Sequence, residues 1–490
     1  VQLTKPQKFF FLFVLMMCFS AIVKAQTDTT YRPEYLYQPK QLHDDLAFLK
    51  SVLEEAHPSL YRYTSKDSLD ARFAAADQQL NQPLTDIEFW KIVESVVAAI
   101  RSGHTVVYPS ANYVEWWNKH GLSRIPLSVY VLNGHLYAAW FPEDCGKLFR
   151  GARITAIDDN PGTVVFASLK PFVSSEGYSD QFVNYNIETS FPDLYGRVFG
   201  FKREYDVAFI DSSGKIQHAT VRSYKTNYHA PTNQSKLIHE QKKSEVAKAV
   251  DINYFKDVPG TVELRIKTFS YLKDYKTFDV AFFKRLQDEK IKNLIIDLRG
   301  DGGGYLGIGI DMMRYMVRNA VVPANMITAV TNEYSFGKYI VYPGSDTLRK
   351  NVLIKTGKRE YAAVNDYQFH YISSGYLFTK NVYLLVDKGT FSDAAIFAAN
   401  LRAQGNVTIL GDETGGGEAG TDGSGFSMVK FPNTGLLLRL PQFWMQTTTR
   451  NENTGHGVIP DITIIPSIED RVTGRDVVLD KTLHLIIDKK

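Results

Sequence analysis

Cysteine is nearly absent: the 490 residues include two, Cys18 and Cys145. That is too few for a disulfide-stapled scaffold or a four-thiolate zinc site. A charge excess is missing too, with 56 Lys and Arg against 53 Asp and Glu. The whole surplus lies in residues 1–25, which carry Lys5, Lys8 and Lys24 and no acid. The rest of the chain is formally neutral, which gives no reason to expect nucleic-acid binding. No phosphate loop ending in Gly-Lys-Ser/Thr occurs, and His239-Glu240 meets Lys243 where a zinc helix needs its second histidine. The eleven histidines are dispersed, so neither a metal nor another cofactor is expected. What is present, 44% hydrophobic and 22% charged residues, has globular proportions and suits roughly two to four domains.

Long apolar runs are confined to the start. Lys5 and Lys8 precede an apolar stretch from Phe9 to Phe19, and Val23 and Ala25 stand three and one residues before Gln26. A basic start, a short apolar stretch and a small residue at the cut predict a signal peptide over residues 1–25. The run is shorter than the ~20 residues of a spanning helix. Cys18 follows Met16-Met17 rather than small residues, which argues against a lipoprotein site. The expected mature protein is exported, periplasmic or secreted, with no membrane span.

Residues 26–115 read as a helical segment. Leu42, Leu46, Leu49 and Leu53 repeat at helical spacing, a second helix is expected over Ser68–Leu80, and Thr85-Asp86-Ile87-Glu88 has the capping-box pattern. That third helix is predicted to run through Ile100 to a stop at Gly103. From 120 to 228 short alternating runs, such as Leu127–Val131 and Leu136–Trp140, predict a β-rich module. A polar linker is expected over 226–250. Residues 250–490 alternate strands (Val262–Ile266, Asn293–Leu298, Val382–Val386, Val407–Leu410) with helices (Phe278–Leu286, Gly309–Val317, Ser392–Arg402). That alternation predicts an α/β core on a mostly parallel sheet. The Tyr-rich stretch of about 320–380 reads as an irregular insertion over one end of it.

Three places carry candidate chemistry. Lys388-Gly389-Thr390-Phe391-Ser392-Asp393 joins a strand to a helix. A serine there meets the positive helix end, and the Asp393 amide can face a developing oxyanion; the plainer reading is a helix N-cap. In Arg101-Ser102-Gly103-His104-Thr105 a histidine sits on a tight turn, as a general base or simply as a turn residue satisfied by a carbonyl. In Asp297-Leu298-Arg299-Gly300-Asp301-Gly302-Gly303-Gly304 consecutive glycines at a strand end let amides approach a ligand closely. The same stretch formally matches the dinucleotide fingerprint through Gly302, Gly304 and Gly307, so a dinucleotide-binding oxidoreductase stands as a third function class.

Taken in this order, the three motifs resemble the serine peptidases of the C-terminal-processing (tail-specific) protease family. Gly411-Asp412-Glu413-Thr414-Gly415-Gly416-Gly417 and Gly457-Val458-Ile459-Pro460-Asp461 complete the pattern. The resemblance implies an N-terminal helical segment, a PDZ-like module and a ClpP/crotonase-like α/β core. It implies an acyl-enzyme on Ser392, with the Gly303 and Asp393 amides as oxyanion donors. In the processing branch a lysine follows the serine by 25 residues; here that position is Gly417. The chain is thus closer to the branch of the tricorn core and the retinoid-binding-protein-like members, which pairs serine with histidine and an acid. Carried onto this sequence, the base is His104, the acid Glu452, and Ser102 a residue that helps position the base. Asp461 is expected to be structural. The expected partner is a protein or peptide substrate. The second function class is a catalytically inactive peptide- or apolar-ligand-binding protein on the same scaffold.

Overall fold

A computed structural model of the chain describes residues 31–226, 246–270, 274–317, 324–344, 353–358, 360–363, 375–423, 425–447 and 455–488. The expected signal peptide and most of the 226–250 linker lie outside the described residues. The fold is mixed α/β with several sheets.

The helices Pro39–Ala56, Lys66–Asp77 and Asp86–Ala98 form as the leucine spacing and the capping box direct. Thr85 Oγ1 accepts from the Glu88 amide at 3.2 Å while Glu88 Oε2 accepts from the Thr85 amide at 2.8 Å. The third helix stops earlier than its predicted glycine. It ends at Ala98, and Arg101 takes the left-handed turn with φ 64°. Gly103 is needed for a different reason: a Cβ there would lie 2.8 Å from the Phe391 ring.

The module after residue 120 is built on antiparallel strands Ser128–Leu132, His135–Trp140, Arg153–Ile157, Glu204–Ile210 and Ile216–Arg222. It is less purely β than its sequence reads. The helix Gln181–Phe199 crosses it, burying Val183, Ile187, Phe191 and Tyr195, one turn apart along one face. Pro192 inside that helix carries the breaker signal that hides it in the sequence. Helices Ala111–His120 and Gly162–Leu169 also escape the sequence reading.

In the C-terminal half, one six-stranded sheet runs in the order Val250–Tyr254, Thr261–Ile266, Asn293–Asp297, Asn381–Val386, Val407–Gly411, Ile462–Thr463. Its first pair is antiparallel and the other four pairs are parallel. The helices Tyr275–Asp288, Leu306–Met313 and Asp393–Ala403 join its strands. Every residue of Asn293–Asp297 is buried, as expected of a strand covered on both faces. Leu264, Ile296, Leu384 and Phe397 lie in the core on one side; Ile295, Tyr383, Leu385 and Leu410 pack with the C-terminal helix on the other.

The stretch 320–380 is more ordered than an irregular insertion. Ala324–Ala329, Leu353–Gly357 and Glu360–Ala363 share a sheet with Gly420–Thr421 and Trp444–Thr447. A further four-stranded sheet sets the site. Val106–Tyr108, just after His104, pairs antiparallel with Leu437–Pro441, which pairs in turn with Phe426–Lys430. The N-terminal segment thereby adds a strand beside the loop that carries Asp422.

Candidate active site

Ser392 stands between the end of the strand Asn381–Val386 and the start of the helix Asp393–Ala403. Its backbone is at φ 52° and ψ −124°, outside the regions that a residue with a side chain ordinarily adopts. Although it occupies the N-cap position, its side chain makes no capping hydrogen bond. The plain capping role therefore does not account for it. The conformation aims the hydroxyl away from the helix, the geometry of a nucleophile elbow.

Two loops hold this turn. Asp387 Oδ1 accepts from the amides of Gly300 at 2.8 Å and Gly389 at 2.9 Å. The Phe391 amide donates to the Asp301 carbonyl at 2.9 Å, and Thr390 Oγ1 donates to the Leu298 carbonyl at 2.9 Å. Arg299 fixes the first loop from below, donating to both oxygens of Asp297 and both of Asp476 at 2.6–2.8 Å. Lys388, in the elbow itself, is tied to Glu188 of the helix Gln181–Phe199 at 2.6 Å. Gly416 packs against the turn so closely that a Cβ would meet the Ser392 amide nitrogen at 3.0 Å.

His104 Nε2 lies 3.2 Å from Ser392 Oγ, across 288 positions of sequence. The imidazole is buried, with Phe391 stacked on one face at 4.6 Å and Phe426 on the other at 5.6 Å. Its Nδ1 stands 3.2 Å from Asp422 Oδ1, an ion-pair contact with an off-axis approach, and 3.4 Å from Thr421 Oγ1. Asp422 is held by its other oxygen: Oδ2 accepts from Ser59 Oγ at 2.6 Å and from Ser102 Oγ at 2.7 Å. Ser102 therefore reaches the histidine through the acid rather than directly. Behind it, Ser102 Oγ meets Thr105 Oγ1 at 2.7 Å, and Thr105 Oγ1 meets His57 Nε2 at 2.7 Å. The Ser59 amide donates to His57 Nδ1, so the His57 proton is on Nε2 and the chain of donors runs from His57 through Thr105 and Ser102 to Asp422.

The electrostatics follow from burial. Burial pushes His57 down to about 4, so it is neutral at ordinary pH. Burial also lowers the His104 pKa, opposed by Asp422 and assisted by the Arg439 cation. For Asp422, burial acts upward, but His104, His57 and the Ser59 hydroxyl outweigh it and hold the carboxyl below its ordinary range. Glu176 is the second carboxylate of this pocket. Its Oε2 accepts from the Gly103 amide at 2.9 Å and lies 3.9 Å from His104 Nδ1; burial, then the charge of Asp422, raises its pKa well above that of an ordinary glutamate.

The sequence-derived residues are thus distributed as follows. Ser392 and His104 meet, and Ser102 braces their surroundings. The Asp393 amide opens a helix, where the first amides have no intrahelical acceptor. The Gly303 amide is already engaged: it donates to Asp301 Oδ1 at 2.7 Å, so it reaches an oxyanion only by leaving that carboxylate. Glu452 lies outside the described residues. Asp422, absent from the sequence-derived set, is the carboxylate beside His104. Its only local signal is a Thr-Asp-Gly turn, common in loops. Gly417, at the position of the processing-branch lysine, bridges to Gly457. Asp461 accepts from the Ile409 amide at 2.8 Å, a contact within the sheet.

Residues 261–464 match the sequence profile of peptidase family S41. Among solved structures, mature CPAF complexed with lactacystin is similar with a TM-score of 0.66 at 15% identity, covering 92% of this chain and 99% of that one. Mature CPAF alone gives 0.64 at 14% identity, covering 92% and 97%. At such identities the likeness bears on the fold. No curated protein sequence matches the chain.

Proposed function

We propose that this chain, whose residues 261–464 match the profile of peptidase family S41, is a serine-type peptidase that hydrolyses peptide bonds through an acyl-enzyme on Ser392, with His104 as general base and Asp422 as the orienting acid. One observation carries the reading: His104 presents Nε2 to Ser392 Oγ at 3.2 Å and Nδ1 to Asp422 at 3.2 Å. With Nδ1–H facing the carboxylate, the Nε2 lone pair faces the hydroxyl. Ser392 Oγ attacks the scissile carbonyl as Nε2 takes its proton; the imidazolium then returns that proton to the leaving amine. Asp422 stabilises the charged ring without accepting the proton itself. The Asp393 amide, at the positive end of its helix, is the first oxyanion donor. Gly303 is the second once its N–H turns from Asp301.

The substrate is a protein or peptide. We assign residues 26–115 to a segment delivering the base, 120–228 to a PDZ-like module and 250–490 to the catalytic core. The module would take a substrate's chain end by strand addition. Removal of residues 1–25 would accompany export. No helix among the described residues is long and apolar enough to cross a membrane.

The test is labelling by a fluorophosphonate probe, with casein hydrolysis in parallel, for the wild type and for Ser392→Ala and His104→Ala. Labelling and hydrolysis that vanish in Ser392→Ala and drop sharply in His104→Ala support the assignment. A folded wild type that neither labels nor cleaves would instead favour a binding protein on the peptidase scaffold.

A further inference from the structure

Beside the proposed nucleophile, three buried metal-ligating groups converge. His104 Nδ1, a Glu176 oxygen and an Asp422 oxygen all lie within 4.8 Å of one another. Nδ1 stands 3.2 Å from Asp422 Oδ1 and 3.9 Å from Glu176 Oε2. Ligands held about 2.0–2.2 Å from a tetrahedral zinc ion are separated by about 3.4 Å, so small side-chain adjustments would complete three corners of that geometry. Thr421 Oγ1, 3.4 Å from Nδ1, borders the fourth side.

A second observation points the same way. Glu176 is 2% exposed, yet its Oε1 has no hydrogen-bond partner among the described residues. Asp422 Oδ1, 1% exposed at the residue level, likewise accepts no well-aligned hydrogen bond. Asp422 Oδ1 faces the imidazole nitrogen at 3.2 Å, while the unpartnered Glu176 Oε1 belongs to the carboxylate whose Oε2 lies 3.9 Å from that nitrogen; buried acceptors left in this way are costly unless something positive satisfies them. The catalytic assignment uses Asp422 and gives Glu176 no chemical step beyond holding the Gly103 amide. The cation facing Glu176 is Arg62, stacked on Trp444 at 3.7 Å, and the neutral His57 lies beyond Asp422 Oδ2.

We infer that His104, Glu176 and Asp422 form an inhibitory binding site for a divalent transition-metal ion, zinc above all. One imidazole and two carboxylates suit Zn2+ better than the all-oxygen shells of Mg2+ or Ca2+. Binding releases to solvent the proton that burial favours on Glu176; two carboxylate charges and one neutral imidazole then balance the ion. Inhibition follows from proton placement. The metal takes the Nδ1 position and displaces its proton, and the neutral ring then carries a proton on Nε2. His104 turns from acceptor to donor toward Ser392 and is unable to take the hydroxyl proton. No redox change is involved. The inhibitory consequence rests on the peptidase reading; the binding does not.

The experiment separates the two. Metal-free full-length protein and its Ser392→Ala form are titrated with Zn2+ by calorimetry, and with Co2+ as a visible-absorption probe of tetrahedral coordination. We expect one equivalent bound at micromolar affinity or tighter in both, and at least about tenfold weaker binding in Glu176→Gln. In the active protein, peptidase rate falls with zinc occupancy and returns with EDTA. Inhibition is scored as the ratio of rates with and without zinc within each variant, so differences in basal rate drop out. Should Glu176→Gln fail to fold, His104→Ala in the Ser392→Ala background replaces it in the binding arm. Absence of stoichiometric binding, or binding unchanged by both ligand substitutions, overturns the site. Binding without any peptidase activity to inhibit would leave the site standing and count against the enzymatic reading.

Discussion

The Phe391 ring stacks on His104 at 4.6 Å, with 30° between their planes. Phe391 immediately precedes Ser392, so one stretch of backbone places the proposed nucleophile and also supports the proposed base. The stack extends in both directions. Phe182 lies against Phe391 at 3.9 Å, Phe426 covers the far face of His104 at 5.6 Å, and the Arg439 guanidinium caps Phe426 at 3.7 Å. A ring held on both faces has little freedom to tilt, which leaves Asp422 to set its tautomer and its rotation within the ring plane.

Gly423 closes the remaining approach to that ring. A Cβ at this position would fall 2.6 Å from His104 Nε2 and 2.7 Å from Cε1. Gly423→Ala should therefore displace the His104 ring, the proposed base, while leaving the fold largely intact. A displacement on the order of 1 Å lowers kcat about 10²-fold. Steady-state kinetics beside a thermal melt check this; unchanged kcat in a folded variant would show that the ring is not where the base acts.

The acid limb of the rate profile should reflect His104. Burial lowers its pKa, and Arg439 adds to the effect at the end of the ring stack. With a chelator present, kcat/KM should stay high below pH 6.5 and fall only as the imidazole takes a proton. Removing the cation by Arg439→Gln favours the imidazolium, so the midpoint should move up. A midpoint above 6.5 in the wild type, or a downward move in the variant, contradicts the assignment.

Much of this arrangement is legible in the sequence. The core strands are readable because burial on both faces makes them short apolar runs, as in Leu294–Ile296 and Val382–Val386. Thr85 and Glu88 announce their helix because a capping box is a local device. Ser392 and His104 stand in turns whose chemistry shows over a few residues. Asp422 is different in kind. Its hydroxyl partner Ser102 lies 320 positions away, and nothing in the neighbouring residues separates it from other acids. The Gly303 amide was readable as a close-approach glycine, but its hydrogen bond to Asp301 depends on a loop conformation that the glycine run permits without specifying. The helix Gln181–Phe199 was hidden by Pro192, whose local signal is overridden by the burial of one helical face.

Asp279 offers a stability test remote from the site. Both of its carboxylate oxygens are buried without a hydrogen bond among the described residues, and burial, then the charge of Asp311, pushes it up to about 8. The folded state thus holds a proton that the unfolded chain has released above its ordinary value of 3.8. Stability tied to this group is fully present below pH 3.8 and is lost as pH rises toward 8. Asp279→Asn removes the ionisation. Its melting temperature relative to wild type should rise steadily from pH 4 to 8 and level off beyond. A difference independent of pH would mean that the carboxyl is solvated.

The acid of the proposed triad gives the sharpest comparison, because two residues compete for it. Glu452 occupies the place that the family resemblance implies, and Asp422 is the carboxylate found 3.2 Å from His104 Nδ1. Asp422→Asn keeps the shape but can present an N–H to the ring, favouring the wrong tautomer. Such a change costs about 10³–10⁴ in kcat when the acid orients a catalytic histidine. It would also leave Ser59 and Ser102 donating to a neutral group, so folding must be checked by circular dichroism. Glu452→Gln should alter kcat by less than about threefold if Asp422 alone holds the ring. Measuring both variants on one peptide substrate decides the matter. A large loss confined to Glu452→Gln would return the role to that residue and leave Asp422 as a buried brace between the Ser59 and Ser102 hydroxyls.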